Sequence, residues 1–204
     1  QRSVPGYSTV VRMSGILGEQ YAQEGTHIYD LGCSLGESIR SVENALNGRN
    51  CNLVGVDNSP AMISKAREVE SGITWHLADV TTLPLEQSSV VIMNFTLQFI
   101  PLEQRLPLLT KIREAMVPGG LLILSEKLTL PDPDMDVLMI DLHHDYKRSQ
   151  GYTGLEIAQK RDAIENVLIP ETAETHTQRL KSAGFSRSSI WFQCLNFASF
   201  IAIA

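Results

Sequence analysis

The sequence predicts an α/β fold in which helices cover both faces of a mostly parallel sheet. Short apolar runs alternate with helix-length amphipathic segments from residue 27 onward, a pattern typical of strand–helix–strand units joined by right-handed crossovers. A glycine-rich turn follows the first predicted strand, as expected where the backbone must pass sharply from a strand into a helix. The length of 204 residues suits a single domain.

The first predicted strands are short apolar runs, and each precedes a turn or a helix. They cover residues 27–31, 52–57, 73–77, 90–95 and 121–125. The intervening helices are predicted over residues 34–46, 60–70 and 101–116. Asn58-Ser59-Pro60 supplies a cap and an N-terminal proline for the second helix, and Pro118-Gly119-Gly120 is expected to end the third.

The alternation stops after Glu126. Residues 131–134 read Pro-Asp-Pro-Asp and predict a loop, and residues 135–168 are polar, charged and helical in pattern. We expect residues 127–168 to form a helical insert that serves as a lid or as a partner surface. A helix over 176–183 follows, ended by Gly184.

Two final strands are predicted over residues 189–194 and 197–203, joined by a tight turn at Leu195-Asn196. This hairpin would add antiparallel strands to the sheet. Residues 1–204 are expected to form one domain, with an N-terminal helical segment over 1–26. Because the chain starts at Gln1 and not at Met, we also expect that leading residues are missing.

Composition and charge restrict the function. The 17 basic and 23 acidic side chains give a net charge of −6, which disfavours direct binding of nucleic acid because phosphate contacts need clustered Lys and Arg. No apolar run approaches the ~18 residues of a membrane span, so no membrane association is expected. The three cysteines are widely spaced, which predicts neither a disulfide framework nor a zinc site. This cysteine pattern favours a cytoplasmic location for the protein.

The first chemical signal is the turn Asp30-Leu31-Gly32-Cys33-Ser34-Leu35-Gly36. Its glycines let the backbone approach a ligand closely, and the dipole of the following helix polarises the site. Ile39 stands where a dinucleotide fingerprint has its third glycine, and no acid and histidine follow in the positions of an esterase triad. A tight connection without ligand remains the alternative reading of this turn alone.

Polar residues lie at or just after the ends of the next strands. Asp57 ends the second predicted strand, Asp79 follows the third and Asn94 ends the fourth. A carboxylate at Asp57 can accept both hydroxyls of a ribose, and one at Asp79 can accept an adenine amino group. Since ligands bind beyond the carboxyl ends of parallel strands, these residues together predict a site for a nucleoside-containing ligand. Asp57 alone could instead cap the helix that begins near Ser59.

The order of these features resembles the class I S-adenosylmethionine-dependent methyltransferases. The acid before the glycine turn, the two later acids, the Pro-Gly-Gly before the fifth strand and the terminal hairpin occur in that family's order. The resemblance implies a Rossmann-like, mostly parallel seven-stranded sheet with a C-terminal antiparallel hairpin. Ser34 departs from the pattern, because the generic motif has a second glycine there.

A closer resemblance, over the whole chain, is to the carboxy-S-adenosyl-L-methionine synthases of bacteria, which share Gly-Cys-Ser at this turn. The similar strings include Tyr29-Asp30-Leu31-Gly32-Cys33-Ser34-Leu35-Gly36, Asp57-Asn58-Ser59-Pro60-Ala61-Met62, Asn94-Phe95-Thr96-Leu97-Gln98-Phe99, His143-His144-Asp145-Tyr146-Lys147-Arg148 and Gln159-Lys160-Arg161. The resemblance implies conversion of S-adenosylmethionine and prephenate to carboxy-S-adenosylmethionine and phenylpyruvate, the product serving modification of a transfer RNA wobble uridine by another enzyme. It also implies a homodimer.

The resemblance implies specific ligand contacts. S-Adenosylmethionine or its carboxylated form would be held by Tyr7, Gly32, Cys33, Ser34, Asp57, Asn58, Asp79, Val80 and Asn94. Arg161 would pair with the carboxylate added to the sulfonium methyl, and is the expected catalytic residue. Hydroxide released from prephenate could take the methyl proton, so no protein base is required, and closure by the insert and Tyr7 would keep the site dry.

Other readings remain open from the residues. One is a conventional methyltransferase acting on transfer RNA or a small metabolite, and another is a non-catalytic carrier of the carboxylated ligand. No metal is expected, because His143 and His144 would diverge by about 100° on a helix. Their use as substrate contacts stays open. Lys147-Arg148 and Lys160-Arg161 form a modest basic cluster that a dianion such as prephenate would explain.

Overall fold

The computed structural model describes residues 3–164 and 167–204, with the backbone alone described over 160–164. One seven-stranded sheet runs through the described chain in the order β3-β2-β1-β4-β5-β7-β6. Strand β7 runs opposite to the other six strands. The strands are β1 (His27–Leu31), β2 (Asn52–Asp57), β3 (Thr74–Leu77), β4 (Ser88–Asn94), β5 (Met116–Lys127), β6 (Arg187–Cys194) and β7 (Phe197–Ile203). The predicted α/β class, the mostly parallel sheet and the terminal hairpin are confirmed.

Helices lie between the strands and over the end of the sheet. They are α1 (Tyr7–Tyr21), α2 (Glu37–Ala45), α3 (Pro60–Arg67), α4 (Leu102–Ala115), α5 (Pro133–Ser149), α6 (Gly154–Ile164) and α7 (Ala173–Ser182). A 3₁₀ turn covers Leu97–Phe99. No helix in the described residues is both long and apolar enough to cross a membrane.

The two faces of the sheet carry separate apolar cores because successive strand residues point to opposite sides. In β4, Val90 and Ile92 belong to one core together with residues of α2 and α3. Val91 and Met93 belong to the other, which includes residues of α4 and α7. The middle strands are therefore buried on both faces, as their continuous apolar runs predict.

Several boundaries differ from the sequence prediction, and glycines explain most of them. Helix α2 starts at Glu37 and not at residue 34, because Ser34 (φ 49) and Gly36 (φ 80) hold the preceding turn in the left-handed region. The third predicted helix ends at Ala115, and Met116 already pairs with Ser88, so Pro118-Gly119-Gly120 lies inside β5 beside a register shift. Left-handed Gly151 (φ 86) divides the predicted 135–168 helix into α5 and α6.

The insert over 127–168 is tied to the sheet at both ends. Leu128 pairs with Glu171 in an isolated bridge, and the N–H of Thr129 donates to the Glu171 carbonyl at 3.2 Å. The Glu171 carboxylate in turn pairs with Arg105 of α4 and Arg179 of α7. These contacts fix where the insert leaves and rejoins the body, beside the carboxyl end of β5.

Candidate active site

The glycine-rich turn after β1 is fastened to the end of β2. The N–H groups of Gly32 and Cys33 donate to the Val56 carbonyl at 2.8 and 2.9 Å, and the N–H of Ser34 donates to Asp57 Oδ2 at 2.8 Å. Gly32 has φ 82, and a Cβ added there would lie 2.1 Å from Thr96 Oγ1. A side chain at position 32 is therefore excluded both by backbone conformation and by space.

The Asp57 carboxylate accepts hydrogen bonds from both loops at this end of the sheet, the turn after β1 and the turn after β2. Besides Ser34, it accepts the N–H of Ser59 through Oδ1 at 2.9 Å. The N-cap of α3 is Ser59 itself, whose Oγ accepts the Met62 N–H at 3.4 Å. Asp57 is thus not the direct helix cap, and its half-buried carboxylate also lines the neighbouring cavity.

That cavity has a volume of about 430 Å³, within the roughly 300–1,000 Å³ of small-ligand sites. Among the residues that line it, Gly32, Asp57, Asn58, Asp79 and Val80 were predicted from the sequence, and Phe95, Thr96 and Phe99 were not. The carboxyl ends of β1, β2 and β4 bring these residues together. The carboxylate at the end of β2 fits the hydroxyls of a ribose, and the carboxylate beyond β3 fits an adenine amino group. Because both lie beside the glycine turn, we call this space the adenosyl cavity.

The Asp79 loop is held in place by local hydrogen bonds. Asp79 Oδ1 accepts the N–H of Thr81 at 2.8 Å and its hydroxyl at 2.7 Å, and these bonds lower the pKa of Asp79. From α4, Lys111 Nζ donates to the carbonyls of Val80, Thr81 and Leu83 at 2.8–3.0 Å. Sequence reasoning missed Lys111, because a single Lys on a helix ordinarily faces solvent.

Asn94 lies at the end of β4, where its side chain joins several elements. Its Nδ2 donates to Ser38 Oγ at 3.0 Å and to Ser14 Oγ at 3.3 Å, and its Oδ1 accepts the Ser125 hydroxyl at 2.6 Å. The amide therefore links α1, α2 and β5. In this arrangement Asn94 positions the Phe95–Thr96 turn, whose residues line the cavity.

Asp30 lies buried beneath the turn and accepts the Ile39 N–H at 3.3 Å. Burial raises its pKa to about 7, the Ile39 N–H opposes this shift, and the charge of Asp57 adds to it. A carboxyl group with this pKa is largely uncharged in acidic solution and half-ionised near neutrality. Its protonation state therefore sets part of the electrostatic potential at the turn.

Comparison with known proteins agrees with this geometry. The methyltransferase domain family matches residues 28–120. The carboxy-S-adenosyl-L-methionine synthase of Geobacter sp. (strain M21) is 50% identical over 209 residues, which cover 99% of this chain and 86% of that protein. This chain belongs to the carboxy-S-adenosyl-L-methionine synthase family. Like its named relatives, it is an enzyme of the transferase class.

Two further similarities extend this result. The carboxy-S-adenosyl-L-methionine synthase of Pseudomonas putida (strain ATCC 700007) is 51% identical over 213 residues, with 100% of this chain and 86% of that protein covered. The structure of the plantazolicin methyltransferase BpumL, in complex with a monoazolic desmethylPZN analog and SAH, matches with a TM-score of 0.71. At 12% identity over 97% of this chain and 82% of that one, it supports the methyltransferase fold alone.

The remaining residues that the synthase family implies lie in different surroundings. The Tyr7 ring is 6.3 Å from that of Phe95, and burial, followed by the Glu37 carboxylate, raises the pKa of Tyr7 well above its usual value. Tyr7 and Glu37 line a second, more open cavity of about 530 Å³. Cys33 is buried, and burial with Asp30 and Asp57 raises the pKa of its thiol, so it stays protonated.

Arg161 falls within α6, but its side chain is outside the described residues, so its role as carboxylate partner stays a prediction. Of the two neighbouring histidines, His143 is buried and its Nε2 lies 2.7 Å from the Ser3 carbonyl. Over residues 3–159 and 167–204, the structure forms no cluster of three or more His, Cys, Asp or Glu suited to a metal ion.

Glu126 is a buried acid that sequence reasoning did not assign to the site. Its carboxylate accepts the N–H groups of Leu97 and Gln98 at 3.0 and 2.8 Å, so it caps the 3₁₀ turn that carries Phe99. Burial raises its pKa to about 8, although both N–H groups and Arg105 favour the charged form. The visible signal was an acid two residues after the apolar run Leu121–Leu124 of β5.

Proposed function

We propose that this enzyme converts S-adenosylmethionine and prephenate to carboxy-S-adenosylmethionine and phenylpyruvate. The observation that carries the proposal is the 50% identity over 99% of the chain to a relative of that name. The adenosyl cavity supports it, because its acids and glycine turn suit the nucleoside of S-adenosylmethionine. We further propose that the product serves wobble-uridine modification of transfer RNA, and that the enzyme is cytoplasmic and does not itself bind RNA, consistent with its net charge of −6.

In this proposal each part of the cavity holds one part of the nucleoside. Asp57 accepts the ribose hydroxyls and Asp79 accepts the adenine amino group, and Asn58 and Val80 line the same cavity. The left-handed turn at Gly32 leaves room for the amino-acid end. When bound, S-adenosylmethionine supplies a sulfonium methyl whose protons are acidic.

Prephenate supplies both the carboxyl group and the base. It loses its ring carboxylate as carbon dioxide together with hydroxide, and its ring becomes aromatic in phenylpyruvate. Hydroxide accepts one methyl proton and leaves as water, and the carbon dioxide becomes the new carboxylate. The atoms and charges balance without a further reactant, so the protein has to bind, orient and exclude bulk water.

Arg161 is the proposed catalytic residue, as partner of the new carboxylate. A guanidinium matches a carboxylate with two parallel N–H···O bonds, which are roughly twice as strong as neutral ones. A cation beside a sulfonium methyl would weaken binding of an ordinary methyl donor by like-charge repulsion. Arg161 therefore discriminates between the carboxylated product and S-adenosylmethionine.

The proposed architecture is a homodimer in which the 127–168 insert acts as a lid on a single domain. Exposed apolar side chains along α5 support a protein contact on this face: Met135, Val137, Leu138 and Leu142. Light scattering on the purified chain tests this proposal, and a monomer at micromolar concentration would contradict it.

The reaction is tested by mass spectrometry of S-adenosylmethionine incubated with the enzyme and prephenate. We expect a product heavier by one carbon dioxide, together with an equal amount of phenylpyruvate. Arg161→Ala should abolish this conversion and bind S-adenosylmethionine at least as tightly as the wild type, because the like-charge repulsion is removed. Arg161→Lys should restore only part of the rate, because lysine lacks the planar fork. Normal turnover in Arg161→Ala would refute the role of Arg161. A methylated acceptor in place of the carboxylated product would favour the conventional methyltransferase, and release of retained ligand without turnover would favour the carrier.

A further inference from the structure

Three backbone carbonyl groups of the Asp79 loop converge on one ammonium group. This loop, residues 79–83, follows β3 and lines the adenosyl cavity through Asp79, Val80 and Thr81. Lys111 Nζ of α4 donates to the carbonyls of three loop residues: Val80 at 2.8 Å, Thr81 at 3.0 Å and Leu83 at 2.9 Å. An ammonium group has three donors, so these three acceptors match it in number.

The geometry of the loop explains why these carbonyls need a partner from another element. The N–H groups of Thr82 and Leu83 donate to the Asp79 carbonyl at 3.2 and 3.0 Å, which closes the loop into a tight turn. Carbonyls at the end of a helical turn have no N–H partner within it, and the next residue, Pro84, has no N–H at all. A lysine side chain can take the place of the missing donors.

Lys111 approaches the loop from a helix that is fixed by packing. Leu108 and Ile112 of α4 are buried in the same apolar core as Val80, so the helix and the loop share one core beside the ammonium group. Burial lowers the pKa of Lys111, and the charge of Asp79 opposes that shift. A cation that leaves water in this way is stable only where its donors are paired, and the loop carbonyls provide that pairing.

Thr81 connects Lys111 to the Asp79 carboxylate. Its N–H and hydroxyl donate to Asp79 Oδ1 at 2.8 and 2.7 Å, while its carbonyl accepts from Lys111. These Thr81 hydrogen bonds lower the pKa of Asp79, and the charge of Lys111 adds to the effect. The carboxylate is therefore ionised near neutral pH, and its direction depends on the loop that Lys111 holds.

We propose that Lys111 is a positioning residue for base recognition: by holding the Asp79 loop through three carbonyls, it fixes the carboxylate that distinguishes adenine from hypoxanthine. This inference rests on the proposed function, which places S-adenosylmethionine in the adenosyl cavity. An ionised carboxylate accepts a hydrogen bond from the amino group of adenine and repels the carbonyl oxygen that hypoxanthine has in its place. Without Lys111 the three carbonyls lose their partner, and the carboxylate is no longer held against the base.

Two nucleosides without the methionine group measure this discrimination: 5′-methylthioadenosine and 5′-methylthioinosine, which differ only in the base. Competitive calorimetric titration against S-adenosylhomocysteine gives the Kd of each. The wild type should bind the adenosine compound about tenfold or more tightly than the inosine compound. Lys111→Met should weaken binding of the adenosine compound about tenfold and change that of the inosine compound less than about twofold, so the ratio of the two Kd values approaches one.

The ratio separates positioning from general loss of structure, because a variant that only loosens the fold weakens both nucleosides by the same factor. Lys111→Arg keeps a cation with several donors and should restore part of the ratio. Asp79→Asn should abolish the ratio, because the amide can donate to the hypoxanthine carbonyl. Lys181→Met, on the exposed surface of α7, removes the same charge outside the cavity lining and should keep the wild-type ratio.

Circular dichroism confirms folding, and Lys111→Gln, which removes the charge and keeps an amide donor, decides by the same ratio if Lys111→Met unfolds. A wild-type ratio in the folded Lys111 variant, with the ratio lost in Asp79→Asn, overturns the inference. No preference in the wild type, or a full preference in Asp79→Asn, overturns the adenine assignment and the inference together. Absence of carboxylated product from the wild type refutes the proposed reaction instead, and the nucleoside ratios do not depend on that result.

Discussion

A methyl group at position 32 has no room in this structure. An added Cβ would lie 2.1 Å from Oγ1, 2.5 Å from Cγ2 and 2.8 Å from Cβ of Thr96. Thr96 belongs to the turn between β4 and the 3₁₀ turn, and it lines the adenosyl cavity with Gly32. Gly32→Ala should therefore both destabilise the protein and move one wall of the cavity against the other.

The expected magnitude has two parts. Alanine in the left-handed region costs about 1–2 kcal/mol, and overpacking of a filled contact costs about 1–3 kcal/mol. Their sum is about 2–5 kcal/mol. At about 2–4 °C per kcal/mol for a chain of this size, the melting temperature should fall by roughly 4–20 °C.

A second glycine separates the two contributions. Gly48 has φ 85, nearly the same as the φ 82 of Gly32, but no atom lies within 4 Å of its added Cβ. Gly48→Ala should show the backbone cost alone and should keep the affinity for S-adenosylmethionine. Thermal and urea unfolding measure the stability, and isothermal titration calorimetry measures the affinity.

The clash also predicts a rescue. Thr96→Ala removes the two closest atoms, Oγ1 and Cγ2, so in the Gly32→Ala background it should recover part of the lost stability. Equal destabilisation by Gly32→Ala and Gly48→Ala, with S-adenosylmethionine binding intact in both, would refute the reasoning. The contact with Thr96 would then not control the cavity.

Two further predictions concern the acids around the turn. Asp30 has a pKa of about 7 in the folded state against 3.8 when unfolded, so the folded state holds the proton more tightly. The protonated Asp30 side chain therefore stabilises the fold fully below pH 3.8, and this stabilisation is lost as the pH rises through 7. Relative to Asp30→Asn, the unliganded wild type should therefore lose about 2 kcal/mol of unfolding free energy between pH 5 and 7, and a constant difference in urea titrations would contradict this. Asp57→Ala should weaken S-adenosylmethionine binding about tenfold or more, because it removes the proposed ribose acceptor, and Asp57→Asn should weaken it less. Unchanged affinity of Asp57→Ala in calorimetry would exclude the ribose assignment.

The sequence was sufficient to predict the fold class and most strands. Buried strands such as β4 read as continuous apolar runs because both faces are covered. The terminal hairpin is visible from the two strand-like segments on either side of Leu195-Asn196, although β6 lies exposed at the edge of the sheet. The start of β5 was not predictable in the same way. Its Pro-Gly-Gly segment ordinarily ends a helix, and only the pairing of Met116 with Ser88 across the sheet makes it part of a strand.

The candidate-site residues that lie at the ends of parallel strands were predictable from the sequence. Those that meet only through packing of distant segments were not. Asp57, Asn58, Asp79 and Val80 follow strands that run in parallel, so topology alone brings them to one edge. The neighbouring cavity lined by Lys127, His143 and Phe197 instead joins the end of β5, the start of β7 and the distant α5, and no local pattern links these segments. The inward direction of the Asn94 amide likewise depends on hydroxyls from α1, α2 and β5.

We propose that the carboxyl group on the product comes from prephenate within one closed site. The most direct measurement uses prephenate carrying an isotopic label only in its ring carboxylate, with unlabelled carbon dioxide and bicarbonate in the buffer. We expect mass spectrometry to find the label in carboxy-S-adenosylmethionine and none in phenylpyruvate. Product without label, or product formed equally well from buffer bicarbonate with no prephenate, would contradict the account.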